Sequence, residues 1–161
     1  MWEPVDRFNL PSKGTGWRGA RGNMGIWAPA PEIILAQLSG FGEEEYAEHV
    51  IEAIDRPIER GLRLKLFFDM EGMTNYDSAL RTKLTTRLLQ CRDQIDAMVV
   101  LAKSRIVTMG VSVANLALGG IISAHEDRVE FARAFESELR KSGVVGFSVG
   151  VLHTGAPRTV R

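Results

Sequence analysis

Leu66-Phe67-Phe68-Asp69-Met70-Glu71-Gly72-Met73-Thr74-Asn75-Tyr76-Asp77-Ser78-Ala79-Leu80 joins two different patterns within a few turns of chain. On its N-terminal side, Leu62 to Phe68 alternates only partly and is rich in large apolar residues, as an inner strand covered on both faces should be. On its C-terminal side, Leu80, Leu84, Leu88 and Cys91 recur on one side of an amphipathic helix, and Arg81, Lys83, Arg87 and Arg92 lie elsewhere on it. Residues 69 to 77 between them read as an exposed turn. Asp77 suits the N-cap of the helix and leaves Ser78 in its first turn.

Further along the chain, Ala97 to Ala102 reads as a second buried strand. From Ile106 to Leu118 the clearly polar residues are Thr108, Ser112 and Asn115, which share one narrow stripe of an otherwise apolar helix. Gly119-Gly120 closes that helix, and Ile121-Ile122 begins a short strand. Asp127 to Lys141 predicts a charged amphipathic helix with Val129, Phe131, Ala132, Phe135 and Leu139 inward.

Toward the N-terminus, three glutamates after Gly42 favour a helix start. Apolar residues at 47, 50, 51, 54 and 58 give that helix one buried face, and Pro57 should end or bend it. Ile33 to Leu38 and the short apolar segment Met24 to Trp27 predict two early strands. Residues 1–23 hold Pro4, Pro11, Gly14, Gly16, Gly19 and Gly22 with few aliphatics, which predicts a loose arm that buries too little surface to offset ordering. The expected order is β-β-α-β-α-β-α-β-α, an α/β layer fold.

Composition narrows the function. The chain has 161 residues, 45% hydrophobic and 25% charged, which fits one ordinary globular domain. Twenty basic and twenty acidic residues cancel, so no global field draws it to nucleic acid or to an anionic membrane. Met1-Trp2-Glu3-Pro4-Val5-Asp6-Arg7 lacks the basic and apolar regions of a secretory signal, and a cytoplasmic location is expected. Cys91 is the single cysteine, which excludes an internal disulfide and a multi-cysteine metal site. His49, His125 and His153 have no ligand spacing, and His125-Glu126-Asp127 reads as a helix-start cluster. There is no phosphate-cradling glycine loop, no G-x-S-x-G elbow and no Cys-His frame, so no enzyme activity, metal or cofactor is expected.

The order of elements, with Asp69 to Ser78 after an inner strand, resembles the STAS domain of sulfate transporters and bacterial anti-sigma-factor antagonists. The resemblance covers roughly residues 24 to 140. It implies a STAS-like layered fold with a mixed, mainly parallel sheet of about four to six strands and about four helices. The domain would span 24–142, preceded by the arm 1–23 and followed by an extra strand and tail, 143–161. It also implies a non-enzymatic regulatory or scaffolding protein whose partner is an anti-sigma factor or serine kinase, with the serine after the aspartate, Ser78, as the phosphorylated residue. Ala79, Leu80 and Arg81 depart from the small residues usual after Asp-Ser.

Physical chemistry supplies the switch. A phosphate on Ser78 would meet free N–H groups of the first helical turn and the positive end of the dipole, with Arg81 three residues on to offset part of its charge. The same residues also read as a plain cap and first turn. Thr74, Asn75, Tyr76, Asp77, Ser78 and Arg81, with Thr108, Ser112 and Asn115 of the third helix, form the expected partner-binding set. The uncharged third helix fits either an interface or a fully buried element. Val144 to Leu152 predicts a last strand, which could pair within the chain or with a second copy in a homodimer. A small-ligand or lipid carrier of related fold, or a structural subunit of an assembly, are the alternatives. An apolar cavity beside the third helix would favour the carrier.

Overall fold

The computed structural model describes residues 5–147. Seven strands form one sheet: β1 (Asp6–Leu10), β2 (Gly14–Arg18), β3 (Gly22–Ala30), β4 (Ile33–Gly42), β5 (Leu64–Tyr76), β6 (Ile95–Ala102) and β7 (Ile122–His125). Their order across the sheet is the order of the chain. β1 to β4 pair antiparallel and β4 to β7 pair parallel. Four α-helices cover it: α1 (Tyr46–Glu59), α2 (Ser78–Gln90), α3 (Arg105–Ala117) and α4 (Arg128–Lys141). The fold is α/β with a mixed sheet, as expected, but the sheet is wider than four to six strands and half of its pairings are antiparallel.

The difference comes from the expected arm. Residues 6–18 build β1 and β2 and pair onto β3. Aliphatics are few there, but Phe8, Leu10 and Trp17 supply the burial, and the glycines make room for them. A Cβ on Gly14 would collide with the Trp27 ring, and one on Gly16 would lie 2.5 Å from the Phe8 ring. Trp27 Nε1 also donates to Pro11 O at 2.8 Å.

The two faces of the sheet bury different helices, because successive strand residues point to opposite sides. Ile34, Ala36 and Leu38 of β4, Leu64, Leu66 and Phe68 of β5, and Met98 and Val100 of β6 pack with α1, α2 and α3. Ile33, Leu35, Phe67, Val99 and Leu101 pack against Phe131, Ala132, Phe135 and Leu139 of α4. Phe67 meets Phe135 edge-on at 5.0 Å. Cys91 is buried among the first group. Val129, expected inward, is 55% exposed, because the arc set by Phe131, Ala132 and Phe135 turns it to the far side of α4. α1 runs to Glu59, so Pro57 sits in its last turn and is buried.

A second correction concerns the turn at residues 69 to 77. Residues 69–76 continue β5, and Asp77 alone links it to α2. β4 also runs on, and Ser39, Gly40, Phe41 and Gly42 pair with Gly72, Met73, Asn75 and Tyr76 across two register shifts. Of the expected last strand, residues 144–147 are described and form no strand; the rest lies outside the described residues.

Candidate functional site

The end of β5 and the start of α2 form an exposed ridge. Thr74, Asn75 and Ser78 are exposed, and Tyr76, Asp77 and Arg81 are half-buried. Asp77 caps α2 by accepting from Ala79 N at 2.9 Å, and its carbonyl accepts from Leu80 N at 2.9 Å. Two donors that an anion at this helix start would use are therefore already engaged, and the Asp77 carboxylate stands beside Ser78. Ser78 itself is open to solvent. Arg81, three residues on, is half-buried in the same first turn of α2.

α3 is continuous with this ridge. Ser104 Oγ, just before the helix, donates to Thr74 O at 3.2 Å. The Tyr76 ring lies against Gly110, where a Cβ would collide with the tyrosine hydroxyl. Of the three polar residues expected in the partner-binding set, Ser112 alone is exposed. Asn115 is structural, since its Oδ1 accepts from Ile122 N at 2.9 Å and ties the helix to β7. Thr108 is half-buried, and its carbonyl accepts from Ser112 Oγ.

The outward face of α3 is apolar. Ile106 (49% exposed), Met109 (62%), Val113 (51%) and Leu116 (84%) recur at three- and four-residue spacing along one side of the helix. The inner side carries Val107 and Gly110 against the sheet. Both sides of the helix are thus apolar, which explains its lack of charge. Arg105 is its single charged residue.

Beneath α3 lies a cavity of about 90 Å³ between the sheet, α2 and α3. Its walls are Phe68 and Met98 from the sheet, Leu84 and Leu88 from α2, and Val111 and Ala114 from α3, with Arg81 and Tyr76 among the few polar lining residues. The Nε of Arg81 is sealed from solvent and has no hydrogen-bond partner among the described residues.

On the opposite face is a cluster that the sequence expectations do not include. Asp69 and Gln37 are fully buried. Arg128, the first residue of α4, grips the Asp69 carboxylate with both terminal nitrogens at 2.9 Å, and its Nε donates to Glu71 Oε2 at 2.8 Å. Gln37 Nε2 donates to Asp69 Oδ2 at 3.0 Å, and Lys103 lies 3.5 Å from Glu71. Burial pushes the Asp69 carboxyl above its ordinary range, while Arg128 and the Glu71 and Gln37 N–H donors oppose that shift. Every charge in the cluster is neutralised, so its geometry is that of a structural clamp. Two charged residues interrupting the apolar run of β5 are the sequence signal for it.

Of the histidines, His49 stacks on Trp17 at 4.5 Å, and burial lowers its pKa below 6.5. His125 lies 3.5 Å from Glu130, Asp127 caps α4 through Val129 N at 2.8 Å, and His153 falls outside the described residues. Among the described residues no cluster of three or more His, Cys, Asp or Glu is placed to hold a metal, and no helix is long and apolar enough to cross a membrane. No protein-family model matches this chain, and no curated protein matches it.

Proposed function

We propose that this is a non-enzymatic, cytoplasmic regulatory or scaffolding protein that docks a partner protein through α3 and the adjoining β5–α2 ridge, in the manner of STAS-domain antagonists. One observation carries the reading: four large apolar side chains, Ile106, Met109, Val113 and Leu116, stand exposed in one row beside the exposed Thr74, Asn75 and Ser78. Exposed apolar rows are costly to solubility unless a partner covers them. A phosphate on Ser78 adds about −1.5 to −2 charge at the edge of that surface and weakens an apolar contact by desolvation and repulsion.

The test is co-purification of the tagged full chain from its own cell, comparing the native sequence with Met109→Asp and Leu116→Asp. Loss of the same co-purifying protein from both variants, with unchanged thermal unfolding, supports the reading. Retention of that protein by both variants sinks it. Incubation with a co-purifying kinase and ATP, followed by mass spectrometry, tests Ser78.

The cavity beneath α3 favours a second reading, a carrier for a small apolar ligand. The two use opposite sides of one helix and are separable by mutation.

A further inference from the structure

The antiparallel half of the sheet carries a different cleft. α1 packs over β3, β4 and β5, and β1 and β2 reach past it, which leaves a hollow of about 510 Å³ between the first three strands and the side of α1. We propose that this cleft binds a small phosphate monoester with an apolar body, its phosphate held by Arg7, Lys13 and Arg60. The inference is independent of both readings of α3, which packs over β5 and β6.

Three observations carry it. The first is the distribution of charge. Arg7, Lys13, Arg56 and Arg60 line the cleft against the carboxylates of Glu45 and Glu52, an excess of two positive charges in a chain whose formal net charge is zero. His49, also in the lining, is held below its ordinary pKa by burial and adds no charge at neutral pH. Arg56 is paired with Glu52 at 2.9 Å. Arg7, Lys13 and Arg60 are exposed and their side chains have no ion pair among the described residues. Cations gathered on one cleft without counter-ions focus its field on an incoming anion.

The second is how the elements aim these residues. Arg7 stands directly opposite Trp17 across β1 and β2, and Thr15 opposite Ile26 across β2 and β3, so the arginine shares a face with the apolar side chains of the cleft. From α1, His49, Ala53, Arg56 and the C-cap Arg60 recur at steps of three and four and turn one side of the helix to the same space. Lys13 enters from the link between β1 and β2, where it and Ser12 hold left-handed backbone with φ of 63° and 59°. Residues other than glycine keep that conformation at a cost, and such strain concentrates at ligand-contacting positions.

The third is the shape and lining of the space. Ile26, Ala28, Ile34 and Pro57 make its walls apolar between the cations. Its volume of about 510 Å³ falls within the roughly 300–1,000 Å³ of small-ligand sites and leaves room beside an anion for an organic body. Apolar walls select that body, and the excess charge selects a dianion. A phosphate monoester carries about −1.5 to −2 charge and several acceptor oxygens for arginine and lysine donors.

The experiment is isothermal titration of the full chain with naphthyl phosphate, naphthalenesulfonate and inorganic phosphate, and flotation with phosphatidate vesicles. Saturable one-to-one binding of naphthyl phosphate is expected. The singly charged sulfonate and the bare phosphate should each be weaker by about tenfold or more, the value of one charge-assisted hydrogen bond or one buried apolar group. Arg7→Gln and Arg60→Gln should each weaken naphthyl phosphate by about tenfold. Ala28→Glu, which sets a bulky anion on the wall, should abolish its binding. All three positions are exposed, so thermal unfolding should not change. Equal binding of naphthyl phosphate and the sulfonate by the native chain overturns the choice of a dianion, and equal binding of inorganic phosphate overturns the apolar body. Binding that survives Ala28→Glu and both arginine variants overturns the location. Flotation with vesicles without binding of the free ester overturns the choice of a small ligand, and binding of none of the probes overturns the proposal.

Discussion

α2 and α4 begin in the same way and put the next residue to opposite uses. Each is capped by an aspartate that accepts from the N–H two residues on, Asp77 from Ala79 and Asp127 from Val129. After the first cap comes Ser78, exposed to solvent; after the second comes Arg128, whose guanidinium reaches back to the buried Asp69 and to Glu71. The cap is therefore a local device, and the task of its neighbour depends on where the helix lands. α4 lies along the first half of β5, with Arg128 at the buried Asp69 and Glu138 beside Lys65. α2 starts at the rim.

That contrast is broken most sharply at Arg128. Arg128→Ala leaves Asp69 as an uncompensated buried carboxylate and should cost about 3–5 kcal/mol in urea unfolding at neutral pH. Combining Arg128→Met with Asp69→Leu should recover most of the loss, because the clamp is then replaced by apolar packing. Full destabilisation of the double variant would mean that Gln37 and Glu71 depend on the clamp for their own positions.

The pH dependence sharpens the same point. Burial already raises the Asp69 carboxyl above 3.8, and removing Arg128 takes away the main opposing charge. A carboxylate with a raised folded-state pKa loses stability as pH rises through that value. The deficit of Arg128→Ala should thus be smallest in acid and grow toward neutral pH, read from unfolding at several pH values. A deficit independent of pH would show that lost packing, and not charge, is the cost.

Smaller effects are expected at the caps. Asp77→Ala and Asp127→Ala should each cost about 1 kcal/mol, with similar values because the two cap geometries match. Ser78→Ala should change stability by less than about 0.5 kcal/mol, as an exposed substitution does. A clear loss for Ser78→Ala would give that serine a structural role and weaken its reading as a switch.

The helices are legible in the sequence because their signal is local. The apolar spacing of α1, α2 and α4 and the Asp caps are set by neighbours within a few residues. The second half of β5 is not, because two acidic residues in a strand read as solvent-facing until Arg128, 59 residues on from Asp69, is known to cover them. β1 and β2 are hidden for a related reason. Gly14 and Gly16 signal looseness by themselves, and only the Trp27 and Phe8 rings packed over them turn that smallness into a fit. The third helix is visibly short of charge in the sequence, but its polar stripe divides by context: Asn115 holds β7, whereas Ser112 faces water.

The agreement between strand order and chain order bears on how the molecule is made. No strand has to be inserted between two already paired, so a chain emerging from the ribosome can add each strand to the open edge left by the last. The exception is electrostatic. Asp69 enters the sheet with β5, but its counter-ion arrives with α4, so the nascent sheet carries an uncovered carboxylate until synthesis reaches Arg128.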